Sequence, residues 1–282
     1  METVLRWLQR YRPREGWLLW TLGLAAVLLT AFAANAAAWV AGLGWLLAAT
    51  MTLGYAAAFG LSRAALRLEA ASPRQSRSPA RETPGQAGGR RRRQLPGWLA
   101  AGLLAALGLL IVSLLVGWGE APQLPVGIRW YAAPWAKAGL ALVEMGQRLA
   151  QWATDVRSGG AAQDDAVFRW LLGLVAWAAA GWAGWWLFKA QRPLAALLPA
   201  GLLLTLNAYF FWEGRYWLPL YLGLAALVTI LANRQALEQK WDRQGMDYSV
   251  DVRMDVMLSA VAIGLLAMMA ATAMPRIVLR PT

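Results

Sequence analysis

The chain is dominated by apolar runs of nearly equal length. A segment of about 20 apolar residues, rising 1.5 Å per residue, matches the roughly 30 Å hydrocarbon core of a bilayer, and seven such runs recur along the 282 residues. They are Gly16 to Ala36, about Leu43 to Leu61, Gly97 to Trp118, Trp170 to Phe188, Leu194 to Trp212, Tyr216 to Ala232 and Met254 to Met274. With 59% hydrophobic residues and a mean hydropathy of +0.41, this pattern predicts an all-α, polytopic membrane helix bundle of about seven transmembrane helices.

Charge sets the expected orientation. Arg6, Arg10, Arg12 and Arg14 precede the first run, and basic residues collect on the cytoplasmic side of membrane proteins. With the N-terminus inside, nineteen of the 27 basic residues fall in cytoplasmic segments. Five of the remaining eight, Arg129, Lys137, Arg148, Arg157 and Arg169, share one longer external stretch. Seven crossings then leave the C-terminus outside. Ala36 and Ala38 would also suit a signal-peptide cleavage site, although the apolar stretch is long for one. Trp17, Trp98, Trp118, Trp170, Trp186, Trp212 and Trp217 sit near the expected helix ends, where amphipathic rings favour the headgroup region.

Three divisions follow. Residues 1–61 hold the N-terminus and the first two crossings. Residues 62–96, "SRAALRLEAASPRQSRSPARETPGQAGGRRRRQLP", are too rich in Arg, Pro, Ser and Gly to offset the entropy of ordering, and read as a disordered cytoplasmic loop. Its run Arg90, Arg91, Arg92 and Arg93 is the candidate anionic-lipid contact, because each cation near an anionic leaflet adds about 1 kcal/mol of attraction. Residues 97–282 hold the other crossings and an external amphipathic helix at about 134–156.

That helix is "PWAKAGLALVEMGQRLAQWATDV", in which Trp135, Ala138, Leu142, Met145, Leu149, Trp152 and Val156 recur at steps of three and four. They form one apolar stripe, expected to lie on the outer membrane surface or cap the bundle. Glu144, Arg148 and Gln151 fall away from it and are the candidate outer-face contacts for a partner. In the fourth crossing Gly173, Ala176, Ala180 and Gly184 share a face suited to close helix packing. Asn233 to Tyr248 reads as a separate short cytoplasmic helix, with Arg234 and Glu238 paired. Pro199 and Pro219 are placed in first turns, where proline is tolerated.

The net charge of +12 would suggest nucleic acid in a soluble protein, but the positive-inside bias accounts for it, so no nucleic-acid partner is expected. The chain has no His and no Cys, which removes thiolate or imidazole metal sites, haem ligation and nucleophile–histidine catalysis. No catalytic, cofactor-binding or metal-binding residue is assigned, and no cofactor is expected. Asn35, Asn207, Thr30 and Thr205 are the polar groups at membrane depth, and no ionisable pair faces another at a helix centre, as an ion pathway would need.

"REGW" before the first crossing, "LLPAGLLLTLNAYF" in the fifth, and "QKWDRQGMDYSVDVRMDV" leading to a helix that ends "AMP" together resemble the N-terminal membrane region of bacterial transglutaminase-like proteins of the protein-glutamine gamma-glutamyltransferase type. The resemblance spans nearly the whole chain and rests on helix-end patterns. It implies a multi-pass protein of the bacterial plasma membrane. Its seventh crossing would lead to an extracytoplasmic papain-like domain bearing a Cys-His-Asp triad. This chain stops at Thr282 without either Cys or His, so no catalytic residue carries over. The expectation is a membrane anchor, from a truncated product or a split subunit, whose partners are the bilayer and a transglutaminase-like domain or subunit. A small-solute transporter or channel subunit and a membrane scaffold are the alternatives.

Overall fold

The computed structural model describes residues 16–37, 40, 42–71, 96–120, 133–159, 164–211 and 216–244, with 258, 259, 261–266, 268, 269 and 272 beyond them. Seven helices are described in order: α1 (Gly16–Ala36), α2 (Leu43–Ala71), α3 (Gly97–Glu120), α4 (Ala133–Arg157), α5 (Asp165–Phe188), α6 (Pro193–Phe210) and α7 (Trp217–Gln244). All but α4 are long and apolar enough to cross a membrane. In hydrocarbon only helices and closed barrels satisfy every backbone polar group internally, and the described residues form a helical bundle.

Three boundaries differ from the sequence expectation. Helix α2 runs ten residues beyond Leu61, through "SRAALRLEAA", which the charge content marked as loop. Those residues are good helix formers, and Lys189 at the end of α5 pairs with Glu69 in the last turns of α2. Helix α5 begins five residues before Trp170, capped by Asp164, whose side chain accepts from the amides of Ala166 and Val167. Helix α7 absorbs the expected connector: no breaker separates Ala232 from Gln244, and the Arg234–Glu238 pair forms at 2.8 Å. Residues 72–95 of the expected loop and part of the run from Met254 to Met274 lie outside the described residues. Within that run, positions 258, 259, 261–266, 268, 269 and 272 are helical, and Gly264 meets Gly223 of α7. Each glycine's missing Cβ would stand about 3 Å from the other's carbonyl oxygen, 3.0 Å at Gly223 and 3.1 Å at Gly264.

The most extensive helix pairing is α2 with α5. A Cβ on Gly54 would stand 3.0 Å from the Trp177 carbonyl oxygen, and one on Gly184 2.9 Å from both the Tyr55 carbonyl oxygen and the Ala58 Cβ. Gly173, Ala176, Ala180 and Gly184 are all buried, so the small-residue face of α5 is spent inside the bundle. Helix α1 packs on α2, α6 and α7; α3 packs on α5 and α4. Helix α4 lies against the end of α3 and the start of α5, and α2 runs parallel to α5, with Gly54 at Trp177 and Glu69 at Lys189, so the bundle has an α4 end and an opposite end.

Aromatic donors stitch these helices together. The Trp177 indole donates to the Leu104 carbonyl at 2.9 Å, lying against Gly108. The Tyr221 hydroxyl donates to the Leu197 carbonyl beside Gly201, Tyr55 to the Trp20 carbonyl at 3.3 Å, and Trp170 to the Ser113 hydroxyl at 2.9 Å. Pro199 stands in the second turn of α6, inside the helix rather than in its first turn. Lacking an N–H, it leaves the Ala195 carbonyl without its helical donor, and the Trp182 indole supplies one at 2.8 Å.

Two stability predictions follow from this packing. Gly184→Ala should destabilise the bundle by about 1–3 kcal/mol, the usual cost of overpacking. Gly102→Ala, with nothing within 4 Å, should be neutral or stabilising, since Gly is the poorer helix former. Equal melting temperatures in detergent for the two variants would refute the seam. Trp182→Phe should cost about 1 kcal/mol, and less in a Pro199→Ala background, where residue 199 regains its amide. A double-mutant cycle with no coupling between the two sites would show that the indole does not replace the missing donor.

Candidate functional site

Helix α4 is the one described helix too polar to span, and its surroundings are the best-defined polar site. It bridges the ends of two spanning helices. At Gly117, three residues before the end of α3, a Cβ would collide with the Ala141 carbonyl, so glycine lets α4 cross directly against α3. The Lys137 ammonium sits 4.8 Å from the centroid of the Trp118 ring, a cation–π contact. At its other half α4 reaches the start of α5. Arg148 Nε donates to Glu144 Oε1 at 3.0 Å, and Arg148 Nη1 to Asp164 Oδ2 at 3.4 Å.

Asp164 therefore has two tasks. One carboxylate oxygen caps α5 through the amides of Ala166 at 2.8 Å and Val167 at 3.2 Å, where an anion also complements the helix dipole. The other receives Arg148. The chain Glu144–Arg148–Asp164 fixes α4 to the first turn of α5, and Glu144 and Arg148 are about two-thirds buried. Of the candidate partner contacts, Gln151 is exposed while Glu144 and Arg148 are engaged within the protein. Asp164 went unassigned in the sequence reading, although an Asp directly before "DAVF" and a long apolar run is an N-cap signal.

The apolar stripe divides. Ala141 and Met145 are fully buried, and Leu149 and Trp152 pack on the core. Trp135, Leu142 and Val156 are exposed. Ala141, absent from the expected stripe, is its tightest contact.

Elsewhere the buried polar side chains among the described residues are Thr30, Thr50, Ser62 and Asn207. The hydroxyls of the first three donate within their own helices, to Val27, Leu47 and Phe59 carbonyls. Both polar atoms of the Asn207 amide lack a protein partner. At the opposite end of the bundle Arg63 lies over Phe59 and Arg192 over Trp186. Arg90, Arg91, Arg92 and Arg93 lie outside the described residues.

The dual use of Asp164 predicts an ordered loss. Asp164→Ala should destabilise by about 1 kcal/mol for the lost cap and should speed amide exchange at 166 and 167. Gln151→Ala should stay within about 0.5 kcal/mol of the native protein. Unchanged exchange at the start of α5 in Asp164→Ala would refute the cap.

Compared with known proteins, the chain matches no family model, no curated protein and no solved structure.

Proposed function

We propose that this bundle is the membrane-anchoring region of a transglutaminase-like membrane protein of the bacterial plasma membrane, holding an extracytoplasmic catalytic domain at the α4 end. The observation that carries this reading is the order of elements. Paired helices α1 and α2, an Arg-rich stretch, a spanning helix, a bundle-capping amphipathic helix and then further crossings follow in the order that the resemblance implies. The segment "LLPAGLLLTLNAYF" lies within α6.

In this reading the anchor contributes no chemistry of its own. A chain without Cys or His cannot form the thiolate–imidazole pair of a papain-like site. Its task is to fix the catalytic domain at a set distance from the bilayer, with the rigid α3–α4–α5 corner as the surface beside it. A small-solute carrier would draw on Asn207, and one neutral amide does not provide a charged or ion-coordinating path.

Two measurements test this. The locus beyond the codon for Thr282 should encode, in frame or in the adjacent gene, a Cys- and His-bearing transglutaminase-like domain, and finding none sinks the reading. Single cysteines placed at Ser78 and Ser158 in this Cys-free chain report orientation. With N inside, an impermeant thiol reagent on intact cells labels 158 and spares 78; the reverse pattern overturns the topology.

A further inference from the structure

We propose that one flank of α4 is a lipid-contact surface, inserted into the leaflet at the α4 end of the bundle. The argument starts from level. The contacts at Gly117, Trp118 and Asp164 lie in the last turns of α3 and just before the first turn of α5. The spanning segment of α3 runs Gly97–Trp118, about 33 Å at 1.5 Å per residue, which is the thickness of the hydrocarbon core. Helix α4 is thereby held at the boundary between acyl chains and headgroups, running across the ends of the spanning helices.

At that level its faces divide three ways. One face, through Ala141, Met145, Leu149 and Trp152, packs on the bundle. On one flank Lys137, Glu144, Arg148, Gln151 and Asp155 follow at steps of seven, four, three and four. On the opposite flank Trp135, Gly139, Leu142, Gly146 and Ala150 follow at steps of four, three, four and four, all five exposed. Trp135 is 80% exposed, and nothing lies within 4 Å of a Cβ at Gly139 or Gly146.

A helix lying in the interface turns charge to water and apolar groups to the acyl boundary, its apolar side sinking roughly 5–10 Å. Two opposite flanks of opposite character, at the level where the spanning helices end, satisfy that condition. The occupant is the bilayer because α4 is held at the level where the spanning segment of α3 ends, and α3 carries exposed Leu99, Leu103, Leu110 and Trp118 along that span. Trp135 is the interfacial anchor, its ring suited to the headgroup boundary. The inference rests on the membrane reading of the bundle and not on any catalytic domain.

Site-directed spin labelling of the full chain in phospholipid vesicles tests it. Single cysteines at Gly139, Leu142 and Gly146, and on the other flank at Gln151 and Asp155, carry a nitroxide, with Leu103→Cys on α3 as the lipid-facing reference. Collision with apolar oxygen should exceed collision with a water-soluble nickel chelate several-fold at 139, 142 and 146, as at 103, and the ratio should invert at 151 and 155. Nickel access at 139, 142 and 146 equal to that at 151 places the flank in water and overturns the proposal. Exclusion of both reagents there means a protein, a second copy or another domain, covers the flank, and overturns it equally. Loss of the lipid signature at 103 as well would remove the membrane reading along with it.

Discussion

Everything in this bundle is arranged around the approach of α2 to α5. Lipid tails are as apolar as leucine, so helices in hydrocarbon associate through close packing and hydrogen bonds rather than through burial of apolar area. Gly54 and Gly184 supply the close packing, bringing side chains of one helix onto the backbone of the other. With that distance fixed, Tyr55 reaches α1 and Trp177 reaches α3 from the same seam. Helices α1, α3 and α6 are each met by a donor that the central pair carries.

Those donors have a common logic. A buried indole or phenol gains by finding an acceptor, and in a bundle with few polar side chains the available acceptors are mostly backbone carbonyls; the buried Trp20 indole N–H finds none among the described residues. A carbonyl already engaged in its helix keeps a second lone pair, but a neighbouring side chain reaches it only where the helix surface is open. Gly108 and Gly201 open it by absence of a side chain. Pro199 does so differently, by withholding the amide that the carbonyl of Ala195 would otherwise accept. Several of the 18 tryptophans are thus cross-links, and Trp170, read from the sequence as an interfacial anchor, is one of them through Ser113.

Spanning helices were legible because run length is a direct physical requirement of the bilayer: Gly16–Ala36 and the start of α3 fall where the apolar runs put them. Helix ends beyond the membrane were less so. Charged residues such as Arg63, Arg67 and Glu69 end an apolar run without ending a helix, so α2 and α7 continue past the point where hydropathy falls. For α4 the period of the stripe was visible, and its rotation was not. Ala141 and Met145 face inward while Leu142 does not, because the contact at Gly117 selects the smallest side of the helix rather than the most apolar. The engagement of Arg148 with Asp164 joins residues from two elements, and no local spacing announces it.

The unbroken course of α7 has a mechanical consequence. Its 28 residues extend about 42 Å at 1.5 Å per residue, so the part beyond Ala232 is a stiff lever continuous with a membrane span. A change in tilt of the span about its glycine contact at Gly223 would be carried along the helix to Gln244. For each ten degrees of rotation the tip sweeps roughly 5 Å, given the approximately 31 Å of helix between those two residues.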